Sequence, residues 1–179
     1  GNTDWSINVG FNGSKSNWLN VDGPSSGNLD YDGGNGEKEF TIEVTPDDSV
    51  EANSQNSIYI EGKDGNLWKC RQQISVTVGQ SRGASMSLGN TALYDIAPGQ
   101  DRTTTLTVTN QGNGPDTFRI SSSALPTGWS VTLESSTITT ESKFSNQKSG
   151  SIDVTISLPL DALATEEVII TFSVLPQSS

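Results

Sequence analysis

The fold class is decided by residues 103–133, TTTLTVTNQGNGPDTFRISSSALPTGWSVTL. Three short runs in this stretch alternate apolar and polar residues, and turn sequences rich in Gly, Asn and Pro separate them. The positions that share the predicted inner face are Thr104, Leu106 and Val108, then Phe118 and Ile120, then Trp129, Val131 and Leu133. Alternation with a period of two predicts half-buried strands. Three such strands joined by short polar turns predict an all-β antiparallel sandwich.

Composition and charge limit the kinds of partner that the chain is expected to bind. The chain has 179 residues, of which 31% are hydrophobic, and its net charge is −11. Nucleic-acid binding needs clustered Lys and Arg, so an acidic chain of this kind predicts no nucleic-acid partner. The sequence contains no long apolar run, signal peptide or lipidation motif, and we expect no direct membrane insertion.

Similar strand sequences recur and predict an internal repeat. The segment Asp4–Val9, DWSINV, is similar to residues 128–133, GWSVTL, and the two are interpreted as the same strand in two copies. Further matches pair residues 40–46 with 152–159, and residues 57–61 with 168–174. We therefore predict two tandem Ig-like antiparallel β-sandwich domains, over residues 1–79 and 84–179, with the polar linker GQSRG between them.

Both predicted copies are incomplete when they are compared in this register. The first has no counterpart of the strands before Trp129, and the second has no counterpart of residues 67–78, which follow the predicted Asp64-Gly65 hairpin. This predicts that the chain is an excerpt of a longer array, or a processed product of one. The register also predicts about a dozen extra residues within 12–36 of the first copy, where a functional loop would be placed.

Two residue types are assigned to the core by the same alternation. Cys70 shares a predicted face with Ile74 and Val76, so the single cysteine is expected to be a buried, inert thiol. Trp5 and Trp129 are expected to fill the space between the sheets.

The second copy resembles a known group of repeats. Residues 97–100, APGQ, are followed by LTVTNQGNGPDTF at 106–118 and by LPTGWSV at 125–131. This order resembles the Ig-like repeats of archaeal and bacterial surface proteins, including the NEW3 and CARDB-type domains. The resemblance implies an extracellular or cell-surface β-sandwich, and because its motifs are structural it implies no ligand.

Catalytic motifs are absent or lack their context. Gly23–Gly27 formally matches the G-x-S-x-G nucleophile elbow, but the elbow needs a following helix and a histidine base. The sequence contains no histidine. We therefore expect no enzymatic activity and no zinc or thiolate metal centre.

A calcium site, which uses oxygen ligands, is still compatible with this sequence. Asp30, Asp32, Asn35 and Glu37 lie in one glycine-rich stretch, DYDGGNGE, and calcium takes six to eight oxygen ligands on flexible loops. The alternative is an acidic turn exposed to water. A second acidic loop, Asp47-Asp48 with Glu51, is a further candidate.

The aromatic residues of the first copy form the candidate ligand-binding set. Its members are Trp18, Tyr31, Tyr59 and Trp68. Exposed aromatic rings beside Asn and Asp are typical of carbohydrate-binding surfaces, and Tyr59 is out of phase with Ile58 and Ile60, so it should face solvent. The alternative for Trp18 is a small satellite core under a long loop.

These patterns favour a non-catalytic spacer or adhesion module of a larger secreted or cell-surface protein. The alternatives are a carbohydrate-binding or enzyme-accessory module and a calcium-rigidified adhesin. The expected partners are neighbouring domains of the same polypeptide, and in the alternatives a carbohydrate or another surface protein. An incomplete sandwich also has an unpaired edge, which predicts strand donation from a partner.

Overall fold

The computed structural model describes residues 3–11, 16–29, 39–64, 67–163 and 166–177. Within these ranges the regular structure consists of thirteen strands and one short 3-10 turn, Ser16–Trp18. All strand pairs are antiparallel, which confirms the predicted all-β class. The chain divides into two compact units, residues 1–79 and 80–179.

The described residues of the first unit form six strands in two sheets. A four-stranded sheet has the order β3-β1-β5-β6, and β2 pairs with β4. The strand bounds are β1 Thr3–Phe11, β2 Leu19–Asp22, β3 Ser26–Leu29, β4 Thr41–Val44, β5 Gln55–Asp64 and β6 Leu67–Thr77. The predicted hairpin at residues 64–67 is confirmed, because Asp64 of β5 is paired with Leu67 of β6.

The second unit is a sandwich of four strands on three. Its sheets have the orders β10-β12-β8-β7 and β11-β9-β13. The bounds are β7 Ala84–Leu88, β8 Asp101–Asn110, β9 Asp116–Ser122, β10 Ser130–Leu133, β11 Thr137–Thr140, β12 Ser149–Ser157 and β13 Phe172–Pro176.

The core of the second unit is built by the alternation read from residues 103–133. Leu106, Val108 and Phe118 are each 0% exposed, and they pack with inward residues of both sheets. The remaining members of the cluster are Ile120, Ile138, Ile152 and Val154. Side chains from two facing sheets thus exclude water from one another, which is the main stabilising term of a sandwich.

The two turn motifs of the second unit have the geometry that their residues allow. In residues 97–100, the Gln100 N–H donates to the Ala97 carbonyl at 3.1 Å, and Gly99 has a φ of +73°. In residues 126–129, the Trp129 N–H donates to the Pro126 carbonyl at 3.2 Å, and Gly128 has a φ of +88°. Positive φ at the third position is the requirement of a type II turn, and glycine meets it without strain.

The described strands of the two units share an order of pairing, in a register that differs from the predicted one. In the first unit β1 lies between β3 and β5, and β2 pairs with β4. In the second unit β9 lies between β11 and β13, and β10 pairs with β12. Strands β1 to β5 therefore correspond in order to β9 to β13. The sequence comparison predicted that β1 is the counterpart of the strand that contains Trp129. The strand pairing shows that it is not.

The corrected register also matches residue by residue. Leu19–Asp22 and Ser26–Leu29 correspond to Ser130–Leu133 and Thr137–Thr140, strands of equal length. Trp18 is then the counterpart of Trp129, since each immediately precedes its strand. Trp5 of β1 corresponds to Phe118 of β9. In this register residues 12–36 contain no dozen-residue insertion, so that prediction is wrong.

What each unit has beyond the common five strands differs. The first unit has β6 beside β5, whereas β13, the counterpart of β5, has only β9 as a neighbour among the described strands. The second unit has β8 and β7 beside β12, whereas β4 has only β2 among the described strands.

The prediction of a buried cysteine is wrong. Cys70 is exposed, and Ile74 on the same face of β6 is 42% exposed. Strand β6 is an edge strand, and Cys70 lies opposite Gly62, which has no side chain to cover it. Alternation placed these residues on the correct face, but burial also requires a layer that packs on that face.

Candidate functional site

The predicted aromatic ligand set does not form a site in the described part of the chain. Trp18 is 1% exposed and packs with Val50 and Val78, so its faces are not available for stacking on a sugar ring. The structure therefore contradicts a ligand-binding role for Trp18 and shows the satellite core, which was the alternative. Tyr31 and the side chain of Trp68 lie outside the described residues.

Tyr59 is half-buried rather than open to solvent. The Arg71 guanidinium lies 4.0 Å from the centroid of the Tyr59 ring, and Arg71 also pairs with Glu61 at 3.3 Å. One face of the ring is thus already covered by a cation, an arrangement that favours the arginine over a pyranose at that face.

Trp18 is also fixed through its polar atom. Its Nε1 donates to Asp47 Oδ2 at 3.1 Å, and Asp47 in turn accepts from the backbone N–H and the hydroxyl of Ser49. The 3-10 turn and the loop after β4 are joined by this contact. Asp47 therefore has a structural role in the second acidic loop.

We expect Trp18→Phe to lower the free energy of unfolding of the first unit by about 1–2 kcal/mol, since the ring packing is kept while Asp47 loses its indole donor. Urea unfolding, monitored by amide hydrogen exchange in β4, measures this loss of unfolding free energy. Trp129→Phe is the matched control, because its Nε1 donates at 3.3 Å to Glu166 in an exposed contact. An equal loss in both variants would contradict a specific role for the Trp18–Asp47 bond.

The calcium prediction falls outside the described residues. Asp30, Asp32, Asn35 and Glu37 all lie there, so a calcium site at residues 30–37 stays a prediction. Among the residues that the structure describes, no group of three or more His, Cys, Asp or Glu side chains is placed to hold a metal ion.

A buried polar cluster surrounds the turn between β8 and β9, and we call Asn110, Asn113 and Asp116 the polar hub. Asn110 is 1% exposed, and its side chain bonds three backbone groups. Its Nδ2 donates to the carbonyls of Gly114 and Glu141, both at 2.9 Å, and its Oδ1 accepts from the Gly112 N–H at 2.7 Å. The amide thus satisfies backbone groups that the turn would otherwise leave buried without partners.

Asn113 connects the hub to the predicted linker. The Ser81 N–H donates to Asn113 Oδ1 at 2.7 Å, and the Asn113 N–H donates to the Ser81 carbonyl at 3.2 Å. This reciprocal pair fixes the position of one linker residue on the hub. Gly112 lies against the same carbonyl, and a Cβ there would overlap the Ser81 oxygen.

An ion pair connects Asp116 of the hub to the linker. Arg82 Nη1 lies 2.8 Å from Asp116 Oδ1 and also donates to the Gln177 carbonyl at 3.2 Å. The Asp116 side chain is 4% exposed, whereas that of Arg82 is 31% exposed. A buried carboxylate needs a paired charge and hydrogen bonds, and Arg82 with the Thr117 N–H supplies them to Oδ1.

Further bonds extend the attachment to both ends of the predicted linker. Gln80 Nε2 donates to the Pro115 carbonyl at 2.9 Å, and the Gln111 N–H donates to the Gly83 carbonyl at 2.8 Å. Residues 80–83 are therefore part of the second unit, which corrects the predicted start of that domain at residue 84.

Sequence reasoning assigned Arg82 to a linker and Asp116 to a turn, and missed the contact between them. The available signal was an arginine in an otherwise neutral linker together with an aspartate next to a strand start. Their pairing joins residues 34 positions apart, which local patterns do not encode.

The second unit also has a cleft at the end of the sandwich next to Trp129. It has a volume of about 640 Å³ and is lined partly by Leu88, Tyr94, Ile156 and Phe172. Trp129 is half-buried on its wall, so the prediction that this ring fills the space between the sheets is wrong. The fully buried aromatic ring of the second unit is Phe118.

A comparison with protein-family models found no family that matches the chain. A search of curated proteins also found no match. The resemblance to surface Ig-like repeats thus stays a prediction. Within the described ranges, no helix is long and apolar enough to cross a lipid bilayer.

Proposed function

We propose that the chain is a non-catalytic spacer or adhesion module of a larger secreted or cell-surface protein, in which two sandwich units are held in series by a short, restrained junction. The observation that carries this proposal is that residues bonded within the first unit and residues bonded within the second lie very close together in the sequence. Neighbouring domains of the same polypeptide are its expected partners.

The junction is bonded on both sides. The Val78 N–H donates to the Ser54 carbonyl, and the Val78 carbonyl accepts from the Asn53 N–H, both at 2.9 Å within the first unit. Gln80 and Ser81 are bonded to the second unit. In the sequence only one position, 79, lies between Val78 and Gln80. A connection this short has few backbone dihedrals about which the units could reorient.

The composition supports a surface role in the same proposal. The net charge of −11 favours solubility and repulsion between neighbouring molecules, and the absence of histidine removes the commonest general base. In the polar hub, the side chains of Asn110 and Asn113 bond backbone groups, and Asp116 pairs with Arg82, which suits positioning of the chain and not proton transfer.

The distribution of distances between the units tests the proposal. Cys70 is an exposed thiol in the first unit, and Thr105→Cys adds a second one on the exposed face of β8. Spin labels at both positions are expected to give one narrow distance distribution by pulsed electron paramagnetic resonance. Insertion of four residues, Gly-Ser-Gly-Ser, after Gly79 should broaden this distance distribution.

Gly112→Ala is the point variant in this experiment. Its added methyl overlaps the Ser81 carbonyl, so it should loosen residues 80–83 from the polar hub and broaden the distribution. Gly89→Ala is the matched control, since its Cβ would meet its nearest neighbour at 3.6 Å, an ordinary contact. A broad distribution in the Thr105→Cys chain without the insertion or the glycine variants would overturn the restrained spacer.

A further inference from the structure

The second unit has a polar layer inside the end of the sandwich to which residues 80–83 are bonded. Its four side chains are between 1% and 7% exposed, and they are Asn110, Asp116, Thr140 and Ser142. The layer continues the inward positions of the core, because Asp116 is two residues before Phe118 on β9. Buried polar groups cost free energy unless they are hydrogen-bonded, so each oxygen of this layer needs a partner.

Two buried oxygen atoms of the polar layer have no hydrogen-bond partner among the described residues. They are Asp116 Oδ2 and Thr140 Oγ1. The other carboxylate oxygen of Asp116, Oδ1, pairs with Arg82 and accepts from the Thr117 N–H. Asp116 is thus bonded through one oxygen only, although both oxygens of a carboxylate are strong acceptors.

The two unbonded oxygens belong to residues that lie directly opposite each other. Thr140, the last residue of β11, is paired with Asp116, the first residue of β9. Both side chains point into the sandwich, as those of the next inward pair, Ile138 and Phe118, do. Opposite residues of an antiparallel pair have Cβ atoms roughly 4.5–5.5 Å apart. Across such a separation one water molecule can bond both side chains.

A water molecule matches the hydrogen-bonding capacity of both atoms. Asp116 Oδ2, as a carboxylate oxygen, only accepts, whereas the Thr140 hydroxyl donates and accepts. A water between them can donate one hydrogen to the carboxylate and accept the hydrogen of the hydroxyl. Its second hydrogen is then left for a further acceptor, and buried waters typically make about three hydrogen bonds.

The charges of the layer favour water over a cation. Arg82 lies 2.8 Å from Asp116 Oδ1 and already balances the charge of this carboxylate. A cation on Oδ2 would be repelled by that guanidinium, and the only other unbonded side-chain oxygen described there is that of Thr140. Calcium takes six to eight oxygen ligands, which this pair of atoms does not provide.

We propose that one buried water molecule bridges Asp116 Oδ2 and Thr140 Oγ1, and that Thr140 is a positioning residue that acts through this water. The water joins the end of β11 to the carboxylate that holds Arg82. Both oxygens of Asp116 are then bonded, Oδ1 to the linker and Oδ2 to the sheet. The site lies wholly within the second unit and does not depend on the proposed spacer function.

Oxygen-17 magnetic relaxation dispersion of the full chain measures long-lived internal water directly. Thr140→Val keeps the branched shape and replaces the hydroxyl by a methyl, and it is expected to lower the dispersion amplitude by one water molecule. Thr140→Ser keeps the hydroxyl and should retain that water. Thr139→Val is the matched control, because the Thr139 hydroxyl bonds that of Thr117 at 2.9 Å on the exposed face. It should leave the amplitude unchanged.

The positioning role has a second readout, which is hydrogen exchange of the Arg82 guanidinium. Thr140→Val should make this exchange several-fold faster, since Asp116 would be held through one oxygen only. Thr140→Ser should restore the slower exchange. Phe118→Leu, which lowers the stability of the core without removing a hydroxyl, should leave the exchange of Arg82 near that of the unmodified chain.

Four results would overturn the proposal. The first, which needs no variant, is the absence of any long-lived water in the unmodified chain. The second is an equal dispersion amplitude in Thr140→Val, and the third is unchanged exchange of Arg82 in that variant. The fourth is a rise in the melting temperature of the second unit with millimolar calcium that Thr140→Val abolishes, which would assign the site to a cation. The distance distribution of the spacer is a separate measurement, so the two proposals fail separately.

Discussion

Asn110→Ala is expected to lower the free energy of unfolding of the second unit by about 3 kcal/mol. The side chain is 1% exposed, and its removal leaves the carbonyls of Gly114 and Glu141 and the Gly112 N–H without their partner. Each buried polar group left without a hydrogen bond costs roughly 1–3 kcal/mol, and partial entry of water reduces the sum. Unfolding in guanidinium chloride, monitored by near-ultraviolet circular dichroism, measures this loss of unfolding free energy.

Thr109→Ala is the control for Asn110→Ala. Thr109 is the preceding residue on the same strand, and its hydroxyl bonds the Ser149 hydroxyl at 2.8 Å on the exposed face. We expect a change within about 0.5 kcal/mol, as for most exposed substitutions. A similar small effect for Asn110→Ala would show that the hub is not needed for the stability of the turn.

Phe118→Ala is expected to have the largest effect, a loss of about 3–5 kcal/mol from the second unit. Phe118 is 0% exposed and joins the two sheets, with Ile138 beside it on β11 and Leu106 in the facing sheet. Truncation removes the transfer free energy of the ring and leaves a cavity that two rigid sheets cannot close. A melting curve of the second unit is the measurement.

Phe118→Leu and Phe144→Ala separate the causes of that loss. Phe118→Leu keeps most of the apolar volume and should recover more than half of the stability. Phe144 is 41% exposed in the loop before β12, so its truncation should change little. Equal losses for Phe118→Ala and Phe144→Ala would contradict the assignment of Phe118 to the core.

Local alternation predicted the strands of the second unit well. Leu106, Val108 and Phe118 are buried as their period-two positions predict, because the second unit has two sheets that pack against each other. The same alternation failed for Cys70, which is exposed on the edge strand β6. A strand pattern reports which residues share a face, but a facing layer decides whether they are buried.

The register of the repeat could not be obtained from local similarity. The sequences around Trp5 and Trp129 are alike because both are half-buried strands that start near a tryptophan. Their pairing differs, since β1 is paired with β5 whereas β10 is paired with β12. Pairing joins residues distant in sequence, and it identified Trp18 as the counterpart of Trp129.

The polar hub was hidden for a related reason. Asn113 and Asp116 lie in one of the turn sequences that separate the predicted strands. The function of Asn113 is to bond Ser81, and that of Asp116 is to bond Arg82. These partners come from the predicted linker, whose arginine was the available signal that it binds the following domain.

The most direct test of the restrained junction is nitrogen-15 relaxation of the unmodified chain. If residues 80–83 hold the junction as proposed, amides of both units will fit one rotational diffusion tensor, with a correlation time expected for all 179 residues. Two separate tensors with shorter correlation times, each typical of a single unit, would contradict the restrained spacer.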